Sequence, residues 1–163
     1  MTCHETIDMA DVEDVTRVAE ESVPETAQTT TKSPTILVAE DDREMRGLLT
    51  WALTEEGYDV VEAENGIELL KRIEPSLLEF PFREEPCGYD LIISDVRMPG
   101  LSGLDVLAGV RLCDHETPFI VITAFGDEET HARAARLGSC LVLDKPFDMD
   151  DLLAIVRNIV PPS

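Results

Sequence analysis

The sequence predicts a doubly wound α/β fold, with five parallel strands and helices covering both faces of the sheet. Three observations point there. Short apolar runs alternate with helix-like stretches five times after Thr35. The runs are apolar at nearly every position, which suits strands buried on both faces. The stretches between them repeat apolar residues at helical spacing or open on a capping residue.

"TILVA" is the first strand, and Met45, Leu48, Leu49, Ala52 and Leu53 form the apolar stripe of the helix after it, with Gly57 placed to end that helix. "YDVVEA" is the second strand. "NGIELLKRI" is the second helix, opened by Asn65 with Glu68 three residues on, a capping-box pattern. "DLIIS" is the third strand, and "SGLDVLAGVRL" is a helix weakened by Gly109. "PFIVIT" is the fourth strand, and "DEETHARAARLG" is a helix closed by Gly138. "CLVLD" is the fifth strand, followed by "DMDDLLAIVRNIV", which begins at Asp148 and is stopped by Pro161-Pro162. The segment "EPSLLEFPFREEPCG", about residues 74–88, is longer than an ordinary connection and reads as an insertion. Its Phe80-Pro81-Phe82 suits either a partner contact or a lid over a helix end.

Composition narrows the function classes. A chain of 163 residues that is 44% hydrophobic can bury one core with length to spare. A formal charge of −21 argues against direct contact with nucleic acid, whose phosphates it would repel. No apolar run approaches the roughly 20 residues needed to cross a bilayer, so no membrane span is expected. The N-terminus lacks a basic start and an apolar core, so no secretory signal is expected and the cytoplasm is the expected compartment. Cys3, Cys87, Cys113 and Cys140 lie far apart and read as reduced thiols; His4, His115 and His131 are equally scattered.

Residues 1–34 stand apart. They hold eight acids against Arg17 and Lys32, which leaves −15 of the −21 charge for residues 35–163. "SVPETAQTTTKSP" has linker composition. Met9, Val12, Val15, Val18 and Ala19 are loosely spaced like a docking helix face, but a disordered acidic tail is the adopted reading.

Ligands of open parallel sheets bind beyond the carboxyl ends of the strands, where strand order reverses. In the flavodoxin-like order 2-1-3-4-5 that point lies between the first and third strands. Strand one runs into Glu40-Asp41-Asp42, strand three into Asp95, strand four into Thr123-Ala124, and strand five into Lys145-Pro146. Each residue has an ordinary structural use. Asp41-x-x-Glu44, for instance, matches a capping box. Together, acids so close raise one another's pKa, and Lys145 alone cannot offset three of them. A hard divalent cation can, and carboxylates with carbonyl, water and phosphate oxygens are what Mg²⁺ favours.

The blocks "ILVAEDDREMR", "DLIISDVRMPGLSGLDVL", "VITAFGD" and "LDKPFDMDDLL" resemble, in order and at fitting spacing, the receiver domain of two-component response regulators. The resemblance covers about residues 35–160 and implies specific roles. Asp95 would be the phosphoacceptor. Asp41, Asp95 and the backbone carbonyl of Arg97 would bind Mg²⁺ (or Mn²⁺), with Glu40 acting through a bound water. Lys145, the Thr123 hydroxyl and the Ala124 N–H would hold the phosphoryl oxygens, and the Lys145–Pro146 peptide would be cis. The expected donor is a sensor histidine kinase or a histidine phosphotransfer protein. The downstream partner is unknown, and a homodimer through the fourth helix, fifth strand and fifth helix is a candidate assembly.

The resemblance also implies a readout in which Thr123 moves inward. Val142 stands where many members carry an aromatic residue that swings in at the same time, so that part of the switch is not expected here. Phe125 and Arg97 lie where members tune dephosphorylation; Phe125 equally suits a packing role. The chain ends at residues 161–163 with no output domain, so the expected action is binding rather than turnover of an external substrate. A receiver fragment of a longer transcription regulator and a non-phosphorylated pseudo-receiver are the alternatives. A phosphohydrolase with an aspartyl nucleophile would need a second acid where Arg97 stands, and a flavin-binding protein would need a small-residue loop where "AEDDRE" stands.

Overall fold

The computed structural model describes residues 32–79, 87–114, 116–124 and 128–163. The strands are β1 (Thr35–Ala39), β2 (Asp59–Ala63), β3 (Leu91–Asp95), β4 (Phe119–Thr123) and β5 (Cys140–Asp144). The helices are α1 (Arg43–Glu55), α2 (Gly66–Glu79), α3 (Gly103–Val110), α4 (Glu128–Leu137) and α5 (Met149–Ile159). The sheet order is β2-β1-β3-β4-β5 with every pair parallel, as the alternation of elements predicts.

Successive strand side chains point to opposite faces, so the sheet supports two cores. Leu37, Ile92 and Val121 pack with Leu69 and Ile73 of α2, Leu104 and Leu107 of α3, and Ala134 of α4. Ile36, Val38, Ile93 and Ile120 pack with Leu49 and Leu53 of α1 and Leu152 and Val156 of α5. Strands β3 and β4 are buried at every residue, whereas the edge strands β2 and β5 are half open. Apolar residues at successive positions are what two-sided burial requires.

Both termini of α2 differ from the reading above, and at α1 the alternative use of Asp41 as a cap is not realised. The α1 cap is Asp42, whose side chain accepts the Met45 N–H at 2.8 Å, not Asp41. At α2, Asn65 caps the Glu68 N–H at 2.8 Å, but the Glu68 carboxylate takes the Glu64 N–H instead of closing the box on Asn65. That helix also runs on through Pro75 to Glu79, which takes up the first part of the expected insertion. Proline removes the bond to the Lys71 carbonyl, and one residue on the Tyr89 hydroxyl donates to the Arg72 carbonyl at 3.3 Å. Phe80-Pro81-Phe82 and the N-terminal segment 1–31 lie outside the described residues. Gly57 ends α1 with φ 94°, as expected. Ser102 and Asp105 close a full capping box on α3 that the sequence reading did not use.

At the amino-terminal end of β4 a buried polar network fastens the loops. Arg111 donates to the carbonyls of Asp114, Thr117, Gly138 and Ser139. Asp114 accepts the N–H groups of Cys87, Glu116 and Thr117 and the Thr117 hydroxyl. Burial pushes Asp114 towards its neutral form, but these donors outweigh it and hold its pKa below the usual carboxylate value. Cys113 and Cys140 are free thiols, and the Cys87 thiol is buried and donates to the Thr117 hydroxyl.

Candidate functional site

The site forms at the opposite rim because β1 and β3 are neighbours in register. Ala39 pairs with Ser94, so the next residues, Glu40 and Asp95, emerge side by side. Both are buried, at 1% and 6% exposure. Lys145, just past β5, reaches between them. Its Nζ donates to Asp95 Oδ2 at 2.8 Å and to Glu40 Oε2 at 3.0 Å. The remaining oxygens are also engaged: the Arg97 N–H donates to Asp95 Oδ1 at 2.8 Å, and the Asp42 N–H to Glu40 Oε1 at 3.2 Å. A carboxylate at the end of a buried strand is thus satisfied by a lysine and a loop amide.

Asp41 completes the acidic group. Its carboxylate is exposed, and a ligand atom from each of Glu40, Asp41 and Asp95 lies within 4.8 Å of the others. Among the described residues it has no ion pair or side-chain hydrogen bond, and the shift of the α1 cap to Asp42 leaves it available. Burial, with the Asp95 charge adding to it, pushes the Glu40 carboxyl above its usual range despite the opposing Lys145 and Asp42 donors. Burial would lower Lys145, but its bonds to Asp95 and Glu40 raise it instead. Three carboxylates against one ammonium leave excess negative charge on oxygen donors, which fits a hard divalent cation.

Thr123 is buried at the end of β4, and its carbonyl accepts the Lys145 N–H at 2.7 Å, which ties the lysine loop to β4. The Lys145–Pro146 peptide is cis, as expected. Ala124 is exposed and lines an open groove of about 480 Å³ with Met45, Lys145, Pro146 and Phe147. Val142 is half-buried against the α2–α3–α4 core. Arg97 is exposed, and Phe125 lies outside the described residues.

Two neighbours escaped the sequence reading. Gly103 opens α3 directly over β3, where an added Cβ would lie 2.4 Å from the Asp95 carbonyl oxygen. Arg46 donates from Nη1 to the Glu40 carbonyl at 2.7 Å. Its only signal in the sequence is an arginine one turn into the helix that follows an acidic strand end.

Comparison with known proteins agrees with the fold. The pattern of the response regulator receiver domain matches residues 36–157. Sporulation initiation phosphotransferase F of Bacillus subtilis is 29% identical over 126 residues, 77% of this chain and 93% of that protein. The transcriptional regulatory protein CpxR of Escherichia coli is 35% identical over 78% of this chain, which spans 50% of CpxR. Among solved structures, the receiver domain of the Francisella response regulator 1452 aligns with a TM-score of 0.64 and 30% identity, covering 77% of this chain and 95% of that one. The response regulator TrrA of Thermotoga maritima, solved in complex with Mg(2+)-BeF, aligns with a TM-score of 0.61 and 32% identity, covering 78% of this chain and 99% of that one.

Proposed function

The chain belongs to the response-regulator receiver family, and from that premise we propose that it accepts a phosphoryl group on Asp95 from a histidine-phosphorylated partner in a Mg²⁺-dependent reaction. The observation that carries this reading is the Lys145 ammonium held between Asp95 and Glu40, with Asp41 beside them.

An oxygen of the Asp95 carboxylate attacks the phosphorus of phosphohistidine. The new O–P bond forms as the P–N bond breaks; the imidazole nitrogen keeps the bonding pair, and the product is an acyl phosphate. Lys145 neutralises charge on the phosphoryl group, and the Thr123 hydroxyl and Ala124 N–H bind its other oxygens. Such a transfer depends on positioning and on charge stabilisation arranged in advance. Mg²⁺, or Mn²⁺ in its place, would be held by Asp41, Asp95 and the Arg97 carbonyl, with Glu40 acting through a water, and would screen the acids from the incoming phosphoryl oxygens.

The modified Asp95 carries more charge and more acceptor oxygens than a carboxylate. It draws on Thr123 and, through the β4–α4 loop, shifts the population of the α4–β5–α5 face, where a downstream protein or a second copy docks. With Val142 at the half-open edge strand, the change proceeds without a rotating aromatic ring there; Arg97 and Phe125 set the lifetime of the phosphate. Residues 35–160 form the receiver and the acidic segment 1–34 lies outside it. No described helix is long and apolar enough to cross a membrane. The near-complete coverage of a phosphotransferase supports a relay role, and the half coverage of CpxR favours a second reading in which this receiver governs an attached regulator.

Acetyl phosphate with Mg²⁺ tests the proposal. The wild-type chain gains one phosphoryl group by intact mass, and Asp95→Asn gains none. An equal gain in the variant would move the acceptor elsewhere and end this assignment.

A further inference from the structure

We propose that Arg46 is a positioning residue for the cation site: it fixes the peptide that joins Glu40 to Asp41 and so aims the exposed carboxylate of Asp41. The proposal rests on the metal reading above. Every hydrogen-bonding group of Glu40 is engaged. Its N–H donates to the Ala63 carbonyl at 3.1 Å, its side-chain oxygens take Lys145 and the Asp42 N–H, and its carbonyl takes Arg46 Nη1 at 2.7 Å. The carbonyl bond controls the orientation of the following residue, and that residue is Asp41.

Arg46 is itself held. Its side chain is 12% exposed, its Nε donates to Glu62 Oε2 at 3.2 Å, and its Nη2 lies 4.0 Å from Glu64 Oε2. The planar guanidinium therefore spans from the β1–α1 loop to the end of the edge strand β2, which lysine, a point charge on a flexible stem, cannot reproduce. Glu62 and Glu64 also offset a cation that would otherwise oppose metal binding. Groups that orient ligands from behind in this way are worth about 10–100-fold in metal affinity.

The sign of the effect separates this role from simple electrostatics. Coulomb's law alone says that removing a cation beside a Mg²⁺ or Mn²⁺ site tightens binding. Positioning says that it weakens binding. The full chain is titrated with Mn²⁺ while free Mn²⁺ is followed by electron paramagnetic resonance, for wild type, Asp41→Asn, Arg46→Gln and Arg46→Lys. Circular dichroism confirms that each variant is folded. The expected result is loss of binding in Asp41→Asn, a Kd about tenfold higher in Arg46→Gln, and a smaller weakening in Arg46→Lys. Equal or tighter binding by Arg46→Gln overturns the proposal and leaves the metal site standing. Should that variant not fold, an unchanged Kd in Arg46→Lys overturns it. A wild-type chain that binds no Mn²⁺ overturns the metal reading, and this proposal with it.

Discussion

Lys145 is bonded to two carboxylates whose burial leaves them little water. Removing the ammonium leaves Glu40 and Asp95 unpaired beside each other, so Lys145→Met should lose about 1–3 kcal/mol of stability near pH 7.5, read by urea denaturation, and should abolish phosphorylation. The sign with pH follows from the raised pKa of Lys145. Its contribution is complete below the ordinary value of 10.5 and disappears as pH rises through the higher folded value. The difference between wild type and Lys145→Met should therefore shrink at strongly alkaline pH. Asp95, Glu40 and Lys145 were legible in the sequence because each sits where an apolar strand stops. The division of labour between Asp41 and Asp42 was not. Both offer a carboxylate at capping distance from α1, and only the extended backbone of Asp42, φ −71° and ψ 116°, decides which of them caps.

Elements were legible where periodicity was strong, and their ends were legible where a glycine or a run of prolines closed them. The start of α1 and the end of α2 were not, because capping depends on backbone angles and a proline can be carried inside a helix whose other contacts hold. Helix α3 shows how the same residue type serves opposite ends at two positions. Gly103 lies so close to the Asp95 carbonyl and the Ser94 hydroxyl that a methyl group would meet them at 2.4 and 2.6 Å. Nothing lies within 4 Å of a Cβ built on Gly109. Gly103→Ala should cost about 1–3 kcal/mol, and by displacing Asp95 it should slow modification by acetyl phosphate. Gly109→Ala should stabilise the chain by about 0.5–1 kcal/mol and leave the modification rate unchanged. Urea denaturation of the two variants with a rate assay checks both. An unperturbed Gly103→Ala would show that the start of α3 can slide away from β3.

At the scale of the whole molecule, sheet order turns scattered sequence positions into one site. Glu40 and Asp95 are 55 residues apart in number and adjacent in space because β1 and β3 flank the reversal of the sheet. That consequence could be read from strand order alone; the bond from Arg46 to the Glu40 carbonyl could not, since it depends on a side-chain path. Gathering the acids has a cost that pH and cation should reveal together. Burial, then the Asp95 charge, makes Glu40 harder to ionise in the folded chain than in the unfolded one. Its contribution to stability is thus complete below the ordinary value of 4.5 and is lost as pH rises through the folded value. Mg²⁺ favours the ionised form of Glu40, so its stabilisation should be smaller at pH 4.5 and should grow as pH rises. At a concentration about ten times Kd, mass action gives about 1.4 kcal/mol, or a rise in Tm of about 3–6 °C for a domain of this size. Thermal melts with and without Mg²⁺ at both ends of that range check this. The rise should be absent in Asp41→Asn, and a rise of the same size at both pH values would mean that the cation binds somewhere other than the acidic rim.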